Sequence, residues 1–76
     1  MKPLYKGTFN YQRQIIEEYV RVPADVDKEK EKKQAWYLLT LRVAMKAKKS
    51  HYSIRQYFNG EKNNHEITLV KEEEKV

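Results

Sequence analysis

The chain has 76 residues, which is enough for one small domain with a thin hydrophobic core and leaves no room for a second. It contains no cysteine, which excludes a disulfide framework or a thiolate metal site, and its longest apolar run is too short to span a bilayer. Sixteen Lys and Arg residues against eleven Asp and Glu residues give a net charge of +5, which favours an anionic partner such as nucleic acid or an acidic protein.

The first predicted element is a helix over residues 11–22. Its apolar residues are separated by four, one, three and one positions, which is typical of one helical face: Tyr11, Ile15, Ile16, Tyr19 and Val20. Asn10 can cap the start of this helix, and Pro23 disfavours helical geometry at the residue before it. Residues 4–9 precede it as a short strand or an arm.

The second predicted helix begins near Asp25 or Asp27, whose carboxylates suit the positive end of a helix dipole. Residues 28–33 are only Lys and Glu, and we expect them to face solvent. From residue 35 onward the helix is apolar on two nearly opposite faces, one with Leu38, Leu41 and Met45 and the other with Trp36, Leu39 and Val43.

A helix with two apolar faces is expected to be covered on both sides, within the domain or by a second copy of the chain. Trp36 and Tyr37 are therefore candidates for a homodimer interface, although core packing is the main interpretation of both. Segment 67–70 is a second candidate for the same interface.

The third predicted helix covers residues 51–59, with Ser50 as its N-cap and Gly60 just past its end. Ile54, Tyr57 and Phe58 are spaced to form a compact inward stripe. The remaining side chains are expected to point outward: Tyr52, Ser53, Arg55, Gln56 and Asn59.

A strand interpretation competes over residues 51–71. Residues 51–58 would form one strand, 59–64 a turn beginning with Asn-Gly, and 65–71 the partner strand. The long helix would then pack on a small antiparallel sheet that includes an N-terminal strand, and an exposed basic and aromatic strand face could bind single-stranded nucleic acid. A mixture of the two interpretations, with a helix at 51–59 and a strand or wing at 67–70, also fits.

The outward residues of the third helix suit contacts with double-stranded DNA. Arg55 can bond guanine and Gln56 can bond adenine in the major groove, each through two hydrogen bonds. Further side chains of the helix and its cap can contact base edges or phosphates: Ser50, His51, Tyr52 and Asn59. Four lysines nearby are placed for phosphate contacts, which add affinity without sequence information: Lys46, Lys48, Lys49 and Lys62.

This segment resembles the helix-turn-helix regulators of the phage repressor and Cro type. Ala44, Ser50, Ile54 and Tyr57 stand at the intervals of six, four and three that this family shows, and residues 53–63 resemble its second helix and exit turn. Residues 67–70 resemble the start of the family's next helix, so that the resemblance covers residues 40–70. It implies a DNA-binding protein that commonly acts as a dimer. The family usually has glycine in the interhelical turn, where this chain has Lys48 and Lys49.

We therefore expect one mainly α domain over residues 1–76, with three to four helices in a helix-turn-helix arrangement and a frayed charged tail at 71–76. The expected function is sequence-specific binding of double-stranded DNA, as a small cytoplasmic regulator of a phage or mobile element. A small protein-interaction module or a single-stranded nucleic-acid binder on an α+β fold is the alternative. No catalytic constellation, cofactor motif or metal site is visible in the sequence, and an enzyme is not expected.

Overall fold

The computed structural model of the chain describes residues 2–59 and 64–71. In this part of the chain, three strands and two helices follow one another as β1 (Leu4–Tyr11), β2 (Gln14–Arg21), α1 (Lys28–Ala47), α2 (His51–Tyr57) and β3 (His65–Lys71). The strands form one antiparallel sheet in the order β2-β1-β3. The helices pack on one face of this sheet, and the fold is therefore α+β. The prediction of a mainly α domain is wrong.

Residues 11–22 form most of a β-hairpin, and the predicted N-terminal helix is wrong. Phe9 lies opposite Ile16 and Tyr5 lies opposite Val20, so that these four side chains share the buried face. Ile15 and Tyr19 lie on the other face, where Ile15 is 62 % exposed. Because apolar residues occupy both faces of β2, their spacing imitates a helix, although the chain alternates as a strand does.

The turn between β1 and β2 is made by Gln12 and Arg13, which have φ angles of 49° and 66°. Positive φ at both central residues is the geometry of a type I′ turn, which suits the twist of a two-residue hairpin. Asn-Gly or Asp-Gly is the usual sequence there, and neither occurs here. The hairpin therefore carries no turn signal in the sequence.

Helix α1 begins where the sequence predicted. The Asp27 carboxylate accepts hydrogen bonds from the backbone N–H groups of Glu29 and Lys30 and caps the helix. A buried stripe at intervals of four faces the sheet: Glu31, Ala35, Leu39 and Val43. Among the described residues, contacts cover only this side of α1 and the side toward α2, and Met45 on the opposite face is 72 % exposed.

Gly7 allows α1 to lie close to the sheet. A Cβ atom at this position would stand 2.5 Å from the Phe9 ring and 3.0 Å from Leu39 Cδ1. Both of these neighbours are fully buried, so neither can move aside without disturbing the core. Next to this contact, the Tyr5 hydroxyl donates to the buried Glu31 carboxylate at 2.6 Å and ties β1 to the first turns of α1.

Helix α2 is confirmed, with Ser50 as its N-cap: the Ser50 hydroxyl oxygen accepts the Ser53 backbone N–H at 3.1 Å. The helix ends at Tyr57, two residues before the predicted end, and Phe58 follows it as C-cap. The alternative strand at 51–58 is wrong. Gly60 and the tail after residue 71 lie outside the described residues.

Strand β3 contains segment 67–70 and pairs with β1, with Ile67 opposite Gly7. The strand that the alternative placed at 65–71 is thus confirmed, but its partner is β1. The helix start that the family resemblance implied for 67–70 is wrong, because His65, Ile67 and Leu69 alternate toward the core as residues of a strand do.

Candidate nucleic-acid interface

The β1–β2 turn and the α1–α2 turn lie together at one end of the molecule. A cavity of about 300 Å³ there is lined by Gln12 and Gln14 from the hairpin and by Lys46 and Lys49 from the helical side. In the sequence, Arg13 lies between these two glutamines and Lys48 lies between these two lysines. We call the four exposed cations at this place the basic end: Arg13, Lys46, Lys48 and Lys49.

Acidic side chains do not accompany the three lysines of the basic end along the chain. Between Glu31 and Glu61 the sequence contains no Asp or Glu, and in the same interval it contains seven Lys and Arg residues: Lys32, Lys33, Arg42, Lys46, Lys48, Lys49 and Arg55. The ion pairs in the described part of the chain are Lys6–Glu17 and Lys28–Glu31, and neither involves the basic end. Its positive charge is thus left available to an anion.

The backbone is strained at the same place. Among the described residues, the non-glycine positions with positive φ are Gln12, Arg13 and Lys48, and all three lie at the two turns of this end. A left-handed conformation costs an ordinary L-residue about 1–2 kcal/mol, whereas glycine adopts it freely. Two of the three strained positions carry cations. Such strain commonly marks functional sites, where a side chain is required at a position that glycine would suit better.

The N-terminal half of the interhelical turn is well hydrogen-bonded in spite of this strain. Lys48 is left-handed at φ 57° and ψ 43° and caps α1, and the Lys49 N–H donates to the Ala44 carbonyl at 3.0 Å. The backbone therefore fixes where the two lysines leave the helix. Lys46 precedes them on the last turn of α1, where a cation also suits the negative end of the helix dipole.

The residues predicted to read bases fall into two groups. The first group is exposed on the outer side of α2 or just after it: Tyr52, Gln56 and Asn59. The second group is engaged within the protein. The Ser50 hydroxyl is used by the helix cap and also donates to Ser53 Oγ at 2.8 Å.

Arg55 and His51 also belong to the engaged group. The Arg55 guanidinium lies over the Tyr37 ring, 5.4 Å from its centroid, and its buried Nε has no hydrogen-bond partner. His51 Nε2 lies 3.0 Å from Thr40 Oγ1. The Thr40 hydroxyl donates its hydrogen to the Tyr37 carbonyl, so His51 Nε2 is the donor in this pair.

Burial, followed by the nearby positive charge of Arg55, lowers the pKa of His51. The imidazole is therefore neutral at pH 7 and serves as a packed link between the helices. The outward orientation predicted for Arg55 is wrong, because α2 turns residues 51, 54, 55 and 58 toward α1 and the sheet.

The predicted phosphate-contacting lysines 46, 48 and 49 are all exposed and come together at the basic end. Lys62 lies outside the described residues. Arg13 was missed by the sequence analysis, because its place at the tip of a hairpin becomes visible only when residues 11–22 are read as strands.

The candidate dimer residues differ in whether they already make contacts within one chain. The Trp36 indole N–H donates to the Phe58 carbonyl at 2.8 Å, so that Trp36 joins the two helices of one chain. Tyr37 begins an exposed stripe at intervals of four on α1, which continues with Leu41 and Met45. Segment 67–70 lies in β3, an edge strand of the sheet.

Within residues 2–59 and 64–71, no group of three or more metal-ligating side chains comes together. No helix in these ranges is both long enough and apolar enough to cross a bilayer. No family model, curated protein or solved structure matches the chain.

Proposed function

We propose that the chain binds double-stranded DNA through the basic end and the exposed side of α2. The observation that carries this proposal is the coincidence of strain and charge: Arg13 and Lys48 occupy left-handed positions where glycine would be more stable. Together with Lys46 and Lys49 they supply up to four phosphate contacts. An α-helix with its side chains is about 10–12 Å across, so that α2 is compatible with a major groove about 12 Å wide.

In this arrangement the exposed residues of α2 contact the bases and the engaged ones position the helix. Gln56 is the residue best suited to read a base, because its amide can bond adenine N6 and N7 together. Tyr52 and Ser53 border the lysines of the turn and suit phosphates or base edges. Arg55 and His51 hold α2 against α1 through Tyr37 and Thr40.

The proposed role is a small transcriptional regulator of a phage or mobile element that acts in the cytoplasm as a homodimer. The stripe of Tyr37, Leu41 and Met45 is the surface we propose for the second copy, because all three side chains are exposed in one chain. We expect Leu41→Lys to lower the mass seen by sedimentation equilibrium to that of one chain. A mass of one chain for the unsubstituted protein would contradict the dimer.

The DNA-binding proposal is tested by fluorescence anisotropy with a labelled random duplex at 50 and 200 mM salt. Four phosphate contacts predict that the affinity falls about 100-fold over this range. Lys48→Ala combined with Lys49→Ala is expected to weaken binding to all sequences and to reduce the salt slope by about two.

The matched control is Lys30→Ala combined with Lys33→Ala, which removes the same charge from the exposed start of α1. This pair is expected to leave the salt slope nearly unchanged. If both pairs reduce DNA affinity equally, the effect comes from net charge and the basic end is not the binding surface.

A further inference from the structure

An open groove runs along the helix-facing side of β3, between this strand and α1. Helix α1 packs against β3, and Phe58, just past the end of α2, contacts His65 at the start of this strand. A cavity of about 490 Å³ opens there between Lys33 and Trp36 of α1 and His65 of β3. A second cavity of about 260 Å³ continues the groove past Lys28 to Leu69.

The backbone of β3 offers hydrogen bonds at the same place. The Asn10 N–H donates to the Asn64 carbonyl at 2.9 Å, which shows which opposite residues of β1 and β3 form hydrogen-bonded pairs. The backbone N–H and C=O groups of successive residues in an antiparallel strand point to opposite sides. Residues 66 and 68 therefore point these groups toward β1. His65, Ile67 and Leu69 then turn their N–H and C=O groups toward the open edge. These are the three β3 residues whose side chains line the groove.

The groove combines an apolar floor with a positive rim. Trp36, Ile67 and Leu69 supply the apolar surface, and all three are only partly buried. Lys28, Lys32 and Lys33 line its α1 side, where Glu29 opposes them and Lys28 is paired with Glu31. Burial, followed by the nearby positive charge of Lys32, lowers the pKa of His65, which also lines the groove.

We propose that this groove and the edge of β3 bind an extended acidic peptide of a partner protein, which joins the sheet as an antiparallel fourth strand. Pairing with an exposed edge supplies backbone hydrogen bonds, and pockets for alternate side chains supply specificity. An apolar side chain of the peptide packs between Trp36 and Ile67. Carboxylates two residues before and after it reach the lysines of α1, whose excess charge complements them.

The single tryptophan of the chain lies in the groove and reports on its occupancy. The probe is the peptide Ser-Glu-Thr-Val-Thr-Glu-Ser, titrated while Trp36 fluorescence is recorded. We expect a saturable change, and we expect the same peptide with Lys in place of Glu to give none. Lys32→Glu is expected to weaken binding by about tenfold or more, since it reverses a charge at the rim. Lys48→Ala, at the basic end, is expected to leave binding unchanged.

Backbone pairing is tested with two N-methylated peptides. In an antiparallel strand the valine faces the groove and its N–H points toward β3, so methylation of this nitrogen is expected to abolish binding. The N–H groups of the two threonines point away from β3, so methylation of either nitrogen is expected to be tolerated.

Three results would overturn the inference: no response of Trp36 to the acidic peptide, an equal response to the lysine peptide, or equal binding of both methylated peptides. A Trp36 response to duplex DNA that Lys32→Glu abolishes would assign the groove to nucleic acid and would also overturn it. None of these results depends on DNA binding at the basic end.

Discussion

At its C-terminal end α2 is held by aromatic packing, whereas at its N-terminal end the same helix borders exposed cations. The Phe58 ring lies edge-on to two other rings, with centroid distances of 4.9 Å to Phe9 and 5.7 Å to His65. The Phe58 carbonyl accepts a hydrogen bond from the Trp36 N–H. We call Phe58, Phe9, His65 and Trp36 the locked end. A seven-residue helix is marginal alone, so tertiary contacts at one end must hold it if the other end is to present side chains to a partner.

Phe58→Ala is expected to have the largest effect, because it removes the centre of the locked end. Truncation of a fully buried Phe costs about 3–5 kcal/mol, a large part of the free energy of unfolding of a domain this small. Thermal unfolding followed by circular dichroism measures this loss. Tyr52→Ala is the control, since Tyr52 lies on the same helix and is 65 % exposed. Equal melting temperatures for the two variants would show that the aromatic packing does not hold α2.

Gln56→Ala tests the exposed side of α2. If Gln56 bonds a base, its removal costs about 1–3 kcal/mol at a preferred duplex selected from a random library and nothing at unrelated duplexes. Arg55→Ala is the matched comparison, because Arg55 precedes Gln56 but packs on Tyr37. We expect Arg55→Ala to change the melting temperature more than the base preference. The opposite pattern would mean that Arg55 leaves Tyr37 to contact DNA.

The elements that could be predicted are those whose signals are local. The cap residues Asp27 and Ser50 mark the starts of α1 and α2 in the sequence, and both caps are confirmed. The hairpin could not be predicted, because its turn lacks Asn-Gly and because Ile15 lies on the open face of the sheet. The β-branched residues of this segment favour a strand, but their spacing matches a helix: Ile15, Ile16, Val20 and Val22.

For the candidate site, the sequence identified the lysines but not their arrangement. Lys46, Lys48 and Lys49 follow from their exposure at a helix end, which is a local property. The orientation of Arg55 depends on Tyr37 of another helix, and the inclusion of Arg13 depends on the pairing of β1 with β2. Both require tertiary contacts that no periodicity encodes.

Lys48→Gly separates stability from binding at the turn. Glycine adopts the left-handed conformation without the cost that lysine bears, so the free energy of unfolding is expected to rise by about 1 kcal/mol. The same change removes a phosphate contact and is expected to lower the salt slope of DNA binding by about one. Lys49→Gly is the control, because Lys49 does not have a positive φ and glycine there should destabilise.

If Lys48→Gly leaves both stability and DNA binding unchanged, the strain at this turn has no functional meaning. A gain in stability without loss of affinity would place the DNA contacts elsewhere, and the basic end would then be an ordinary solvated surface.

The smallest expected effect concerns the two histidines, one at each end of α2. His51 lies beside Arg55 at its start, and His65 packs on Phe58 past its end. Burial lowers the pKa of both, and the charges of Arg55 and Lys32 lower them further. A lowered pKa in the folded protein means that the unfolded chain binds protons more readily. The stability contributed by the neutral imidazoles is therefore complete above the unfolded pKa of about 6.5 and is lost as the pH falls.

Melting temperatures recorded between pH 7.5 and 5 should therefore decrease as the pH is lowered, since histidines are the side chains whose ordinary pKa lies in this range. His51→Gln and His65→Gln should each remove part of this decrease, while Glu17→Gln, on the open face of the sheet, should not. If only His65→Gln flattens the pH dependence, protonation acts through the locked end alone. A melting temperature that rises toward pH 5 would contradict the burial of both imidazoles, and with it the packing of α2 at its two ends.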